Sequence, residues 1–246
     1  MIFTSHRPLS QSFRKYLFNG QPFSNLWILR FKKANYYSLT PLGKPFYTPA
    51  NEGNIAIHPS GNFAFYSICN QGKTQKGDGC EIYKVWYDRI RSKWYRKEKI
   101  PELAHSSSMG GLALERRKVA ENYDSHPAFT KNGKIVFFSS RRPGGYGGSD
   151  IWFSKLQPNG FWSPPQNAGP LINSPFDEIY PQPAPDNSYL IFSSNLPGSL
   201  GGYDLYRAYT ADTFQSFYKK DSFPPPLILQ RMIGHSLGLF KTRLGI

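Results

Sequence analysis

Short apolar runs alternate with turn residues along most of the chain. The clearest runs are Ile-Val-Phe-Phe at residues 135–138 and Tyr-Leu-Ile-Phe at residues 189–192, and each follows a tight polar turn. A glycine-rich loop and a second apolar segment come after each run. Runs of this length between clusters of Gly, Pro, Asn and Ser are typical of β-strands and favour short strands over long helices. The pattern predicts an all-β fold.

These segments belong to an internal repeat. Residues 124–152 and 178–206 align without a gap at a spacing of 54 residues. Both copies run from an acidic residue through a proline and an apolar run to Ser-Ser, a Pro-Gly turn and Gly-Gly-x-Asp. Earlier copies occur with more drift at residues 52–83 and, cut short, at residues 2–28. A fixed period of this length predicts a repeat architecture.

Each repeat is predicted to form a four-stranded antiparallel sheet, which cannot bury both of its faces alone. Radial stacking of such sheets as the blades of a β-propeller solves this problem. The chain length corresponds to four to five repeats, within the usual range of about four to eight blades, so we expect an incomplete ring. The expected propeller at 1–217 comprises a partial blade at 1–50, blades at 51–103, 122–176 and 177–217, and an insertion at 104–121, before a divergent tail at 218–246.

The repeat at residues 124–152 resembles the TolB-type, WD-repeat-like propeller repeat, and its second copy agrees. The segment at 162–173, which begins Trp-Ser-Pro-Pro, looks like the inter-blade segment of that family. The resemblance covers residues 2–206. It implies a non-catalytic scaffold of the Gram-negative cell envelope, in the periplasm or at the outer membrane, which needs no cofactor and binds an envelope protein or a peptidoglycan-associated partner. Exposed blade edges also predict self-association that completes the ring.

The composition agrees with this fold class. Aromatic residues make up 16% of the chain, and 22 Gly and 21 Pro residues supply frequent turns. The formal net charge of +14 would suit an anionic partner. The basic residues form several short groups, however, so we interpret them as solvated surface and predict no specific nucleic-acid binding. No window reaches the ~18 consecutive apolar residues of a transmembrane helix, and no signal peptide is recognisable.

Two glycine-rich loops, at 141–149 and 195–203, are expected on one rim of the propeller, because corresponding loops of a repeat share an end. They predict a presented binding surface with these candidate residues: Arg141, Arg142, Tyr146, Asn195 and Leu200. Where each such loop enters the next strand, all four copies carry a polar residue: Asn25, Glu81, Asp150 and Asp204. We interpret this position as structural, because a short polar side chain can accept hydrogen bonds from loop amides. An ion site at each loop is the alternative.

Both cysteines of the chain flank one of these loops. Cys69 and Cys80 are expected at the two feet of a single hairpin in the first full repeat. In an oxidising compartment, a disulfide between them would stabilise the protein by closing a short loop. Two unpaired thiols in a strand pair are the alternative.

The pentapeptide Gly-His-Ser-Leu-Gly at residues 234–238 matches the nucleophile elbow of α/β-hydrolases. A truncated serine hydrolase of prolyl-oligopeptidase-like type is therefore the alternative function. The triad of that fold continues with Asp or Glu and then His, and no residue after Ser236 is of these types, so we favour a non-enzymatic protein. The histidines share neither a repeat register nor a metal-ligand spacing, and we predict no zinc site from this set: His6, His58, His105, His126 and His235.

Overall fold

The computed structural model describes residues 1–5, 24–32, 35–48, 50–69, 79–104, 123–199 and 201–223. These residues form fifteen β-strands and no α-helix. The strands make four antiparallel sheets in chain order, which pack as four successive blades of a β-propeller. The prediction of an all-β propeller is confirmed.

The strands pair with their neighbours in sequence, so every blade is a meander. Blade 1 contains β1 (Ile2–Ser5), β2 (Asn25–Lys32) and β3 (Asn35–Pro41). Blade 2 contains β4 (Asn51–Ile57), β5 (Phe63–Cys69), β6 (Cys80–Asp88) and β7 (Lys93–Lys99). Blade 3 contains β8 (Asp124–Phe129), β9 (Ile135–Ser140), β10 (Asp150–Lys155) and β11 (Gln166–Asn167). Blade 4 contains β12 (Glu178–Pro183), β13 (Tyr189–Ser194), β14 (Asp204–Tyr209) and β15 (Lys219–Ser222).

Strand β15 lies beyond residue 217, in the segment expected to be a tail, yet it pairs with β14 as the outer strand of blade 4. Its sequence, Lys-Lys-Asp-Ser, has no apolar residue because it lies at the edge of the sheet, and the hydrophobic pattern could not mark it. The insertion expected at 104–121 lies, apart from Ala104, outside the described residues.

Blade 1 supplies the second, third and fourth strands of the repeat. Ser5 pairs with Asn25 in β1 and β2, as Ser140 pairs with Asp150 in blade 3. This register makes β1 the equivalent of β9. Neighbouring blades then contact each other through β1 and β4, through β4 and β8, and through β8 and β12.

Blades 2 and 3 each lie between two other blades, and their central strands are therefore apolar on both faces. In β9, Val136 and Phe138 point towards blade 2, whereas Ile135 and Phe137 point towards blade 4. Three buried clusters therefore lie between successive blades. Between blades 1 and 2 the central side chains are Leu26, Tyr66 and Val85. Between blades 2 and 3 they are Phe65, Phe138 and Trp152. Between blades 3 and 4 they are Phe137, Ile151, Leu190 and Phe192.

The innermost strand of each complete blade contains a β-bulge. The equivalent bulge residues Asn54, His126 and Tyr180 have φ angles of 51°, 55° and 57°. The side-chain amide of Asn54 donates to the Ser125 hydroxyl at 3.3 Å, and the ring centres of His126 and Tyr180 lie 3.8 Å apart. Burial lowers the pKa of His126 to about 3, so this ring is neutral at physiological pH. The bulges thus connect neighbouring blades near the propeller axis.

The structure joins Cys69 to Cys80 in a disulfide. The two residues are direct cross-strand partners at the end of the β5–β6 hairpin, with their Cα atoms 4.0 Å apart. The bond joins the two residues that flank, in sequence, the segment corresponding to the glycine-rich loops of blades 3 and 4.

Replacing both cysteines with serine is expected to lower the free energy of unfolding by roughly 3 kcal/mol, because the bond closes a short loop in the unfolded chain. Urea melts of the wild type and of the double variant measure the difference. Wild type treated with a reductant is the matched control and should lose the same amount. Equal stability of oxidised wild type and the double variant, or two free thiols in the denatured unreduced protein, would contradict the bond.

Candidate binding surface

The two glycine-rich loops lie at the same end of the propeller, next to the segment at 174–177 that enters blade 4. The Gly148 amide donates to the Phe176 carbonyl oxygen at 3.1 Å. The Ser149 amide donates to Oδ1 of Asp177 at 2.8 Å. The loop of blade 3 is therefore bonded to the segment that opens blade 4.

Gly147 allows this close approach between the loop and the segment. A Cβ atom at this position would lie 2.3 Å from the Ser174 carbonyl oxygen and 2.6 Å from that of Phe176. Both distances are far below van der Waals contact, and the neighbouring atoms belong to the backbone. Only glycine fits between the two chain segments.

Asp177 connects the loops of blades 3 and 4. Its Oδ2 accepts hydrogen bonds from the Tyr203 hydroxyl at 2.9 Å and from Nδ2 of Asn195 at 3.3 Å. The Asp177 amide donates to Oδ1 of Asn195 at 2.8 Å. Asn195, a predicted surface residue, thus uses its side chain to hold Asp177. The comparison of repeats did not single out Asp177, because Tyr123 occupies the same position in blade 3. The sequence feature that could have identified Asp177 is its acidic side chain directly before Glu178.

Three aromatic side chains are exposed at this end: Tyr146 at 49%, Phe176 at 39% and Tyr203 at 38%. Arg141 is exposed beside the same loop. We call Arg141, Tyr146, Phe176 and Tyr203 the rim patch. Leu200, which was also predicted for this surface, lies outside the described residues.

Two side chains of the rim patch, those of Arg141 and Tyr203, interact with neighbouring residues. The guanidinium carbon of Arg141 lies 4.9 Å from the centre of the Tyr123 ring. Burial and the hydrogen bond to Asp177 raise the pKa of Tyr203 to about 12, and the charge of Arg141 opposes this shift. The Tyr203 hydroxyl therefore remains protonated near neutral pH. The patch presents three aromatic rings, two hydroxyl groups and one cation.

Arg142 is turned away from this surface, in contrast to its predicted place on it. Its side chain is only 10% exposed and forms an ion pair with Asp124, with Nη2 2.9 Å from Oδ1. Nη2 also donates to the Leu103 carbonyl oxygen, and Nε donates to the Ser140 hydroxyl, both at 2.9 Å. The guanidinium carbon lies 5.3 Å from the centre of the Trp152 ring. Arg142 joins blade 3 to the segment that leaves blade 2.

The polar residues near the start of the third strand of each repeat include two whose side chains accept hydrogen bonds, Glu81 and Asp150. Their cross-strand partners place them in equivalent positions: Asn25 opposite Ser5, Glu81 opposite Ile68, Asp150 opposite Ser140 and Asp204 opposite Ser194. Oδ2 of Asp150 accepts from the Tyr146 amide at 2.6 Å and from Nδ2 of Asn167 at 3.0 Å. Oε1 of Glu81 accepts from Nζ of Lys99 at 2.9 Å. These contacts favour the structural interpretation, and the described part of the chain holds no cluster of three His, Cys, Asp or Glu suited to a metal.

Three buried acidic residues lie near the start of the innermost strands, and the first and third of them bind the inter-blade segments: Glu52, Asp124 and Glu178. Glu52 accepts from the Thr48 amide at 2.6 Å and from the Thr48 hydroxyl. Glu178 accepts from the Ser174 hydroxyl at 2.5 Å. Burial raises the pKa of Glu52 to about 8 and raises that of Glu178 as well. All three carboxyl groups face the protein interior.

No protein-family model and no curated protein matches the sequence. Among solved structures, the chain is similar to a thermostable family-43 glycoside hydrolase, with 14% identity, a TM-score of 0.50, and coverage of 83% of this chain and 69% of that one. The chain has a β-propeller fold. This propeller also resembles a TolB protein from Agrobacterium tumefaciens, with 13% identity, a TM-score of 0.48, and coverage of 81% of this chain and 56% of that one.

A second TolB, from Acinetobacter baumannii, is 14% identical with a TM-score of 0.41, and the match covers 77% of this chain and 36% of that one. The propeller therefore spans about half the length of one TolB chain and about a third of the other. At these identities the likeness concerns the fold, which serves both binding proteins and hydrolases. The described residues contain no helix that is long and apolar enough to cross a membrane.

Proposed function

We propose that this propeller is a non-catalytic, TolB-like scaffold module of the bacterial cell envelope, in the periplasm or at the outer membrane. It binds an envelope protein or a cell-wall polymer through the rim patch. One observation carries the proposal: three exposed aromatic side chains stand on a backbone fixed by hydrogen bonds between two blades. Rigid aromatic side chains lose little conformational entropy on binding and supply large contact areas.

A non-catalytic role is supported by how the described acid and base groups are used. The buried carboxyl groups bind inter-blade segments, as shown above for Glu52 and Glu178. The ring of His58 lies 2.8 Å from the Ser60 hydroxyl and 3.2 Å from the Gly133 carbonyl oxygen, so both of its nitrogens have partners. His126 is buried and neutral. Ser236, which the hydrolase alternative requires, lies outside the described residues.

The chemistry of the patch supports the two partner classes. Arg141 favours an anionic polymer such as peptidoglycan. The aromatic rings suit either the apolar face of a sugar or the side chains of a protein partner. The repeat at 124–152, which is similar to the TolB type, supports the envelope location.

Replacing Tyr146, Phe176 and Tyr203 together with alanine is expected to weaken binding about tenfold or more, because buried aromatic anchors dominate binding energy. Co-sedimentation with purified peptidoglycan and capture of envelope proteins from membrane extracts measure the two partner classes. Substituting Arg141 with glutamate should further weaken binding to peptidoglycan.

The matched control is the double variant Phe161→Ala and Ile90→Ala. These two side chains are 60% and 98% exposed and lie in turns at the opposite end of the propeller. Binding by the control should equal that of the wild type. Unchanged binding by the triple variant, or labelling by a serine-hydrolase probe that Ser236→Ala abolishes, would refute the proposed function.

A further inference from the structure

All three interfaces between blades have the same construction. Each blade presents a leading face to the blade before it and a trailing face to the blade after it. In blade 3 the leading face carries Val136, Phe138 and Trp152, which pack on blade 2. Its trailing face carries Phe137 and Ile151, among others, which pack on blade 4. The second and third strands of each repeat, which in blade 1 are β1 and β2, supply these side chains.

Two such faces have no blade against them within the described residues. The three interfaces use the trailing faces of blades 1 to 3 and the leading faces of blades 2 to 4. The leading face of blade 1 and the trailing face of blade 4 take part in none of these three interfaces. No strand of blade 1 makes extensive contact with a strand of blade 4 in the described ranges.

The leading face of blade 1 is apolar at the positions that blade 4 uses for packing. In blade 4 these positions are Leu190, Phe192, Tyr206 and Ala208, which pack on blade 3. By register, blade 1 has Met1, Phe3, Trp27 and Leu29 at the same positions. Met1 is 41% exposed, Phe3 and Leu29 are partly exposed, and Trp27 is 8% exposed. This surface has the composition of a blade interface.

The trailing face of blade 4 is less buried than its equivalent in blade 3. Ile135, Phe137, Ile151 and Phe153 of blade 3 are at most 7% exposed. Their equivalents in blade 4 are all partly exposed: Tyr189, Ile191, Leu205 and Arg207. Tyr209 and Phe223 extend the same face. An interface face of this kind normally lies against another blade.

Arg207 gives the trailing face of blade 4 a specific chemistry. Its guanidinium carbon lies 4.7 Å from the ring centre of Tyr209, 5.6 Å from that of Tyr189 and 5.4 Å from that of Phe223. Its Nε is buried without a hydrogen-bond partner among the described residues. A cation held in this way can also attract an aromatic ring placed on it from outside. The leading face of blade 1 offers one such ring that is partly exposed, that of Phe3.

We infer that two copies of the chain associate head to tail. The trailing face of blade 4 packs on the leading face of blade 1 of the second copy, and the reciprocal contact closes a ring of eight blades. The interface continues the blade-to-blade packing seen three times within the chain, and eight blades lie at the upper end of the usual range of about four to eight. A heterologous contact that closes in this way gives a discrete assembly.

Light scattering during size-exclusion chromatography tests the association. The wild type should have a mass twice the 28.0 kDa of one chain. Ile191→Glu places a charge on the trailing face of blade 4, and Phe3→Glu places one on the leading face of blade 1. Each variant alone should be a monomer at the wild-type loading. Ile90→Glu, which alters an exposed turn residue, should remain a dimer.

Mixing the two variants separates lost association from misfolding. A mixture of Ile191→Glu and Phe3→Glu retains one unaltered pair of faces, so part of the protein should return to the dimer. A variant that failed to fold could not be rescued in this way. A monomeric wild type, which would result if blade 1 or residues 224–246 of the same chain covered these faces, would overturn the inference. So would an open series of larger species, or a mixture that stays monomeric.

Discussion

The Arg142→Met variant is expected to lose about 3–5 kcal/mol of unfolding free energy, because removing one partner leaves a buried charge uncompensated. Asp124, the partner of Arg142, has a side chain that is only 5% exposed. The substitution also removes the hydrogen bonds to the Leu103 carbonyl oxygen and to the Ser140 hydroxyl. Urea denaturation followed by tryptophan fluorescence measures the loss.

Arg141 is the matched control for this prediction. It is the preceding residue, has the same side chain and is exposed. Arg141→Met should change the unfolding free energy by less than about 0.5 kcal/mol, as is usual for surface positions. Arg142→Lys should fall between wild type and Arg142→Met, because lysine keeps the charge but cannot make the same set of hydrogen bonds. Similar stability of Arg141→Met and Arg142→Met would show that Arg142 is not buried as described.

Phe137→Ala is expected to cost about 3–5 kcal/mol, since truncating a buried phenylalanine leaves a cavity in a packed core. Phe137 is fully buried between blades 3 and 4, with ring centres 5.8 Å from Phe153 and 5.2 Å from Phe214. Phe214 belongs to the segment between β14 and β15, so the same ring also fixes the outer part of blade 4. Thermal and urea melts measure the effect.

Phe161→Ala provides the comparison, because the same side chain there is largely exposed. It should lower the unfolding free energy by no more than about 0.5 kcal/mol. Phe137→Leu, which keeps most of the buried volume, should cost less than Phe137→Ala. A small loss in Phe137→Ala would mean that blades 3 and 4 do not pack through this cluster.

The repeat predicted the fold because the chemistry that forms a blade is local. Apolar runs such as Ile135–Ser140 fill both faces of a central strand, and glycine-rich loops recur at one spacing. The equivalent positions of Asp150 and Asp204 could also be recognised from their place in the repeat. Strand β15 was missed because an exposed outer strand needs no apolar residues.

The contacts of the binding surface could be predicted only in part. Arg141 and Arg142 are adjacent and chemically identical, and the tertiary positions of Asp124, Leu103 and Ser140 determine which of them turns inward. Asp177 connects two loops that are separated in sequence, so its role depends on contacts between blades. A loop has no regular period from which side-chain directions can be inferred, and tertiary packing decides them.

Hydrogen exchange of the propeller with and without bound peptidoglycan, or with a captured envelope protein, tests most directly where the partner binds. We expect slower exchange in the loops at 141–149 and 195–203 and in the segment at 174–177, and unchanged exchange in the turns at 130–134 and 184–188 at the opposite end. Slower exchange confined to the opposite turns, or no change in the three rim segments when a partner is bound, would contradict a binding surface at the rim patch.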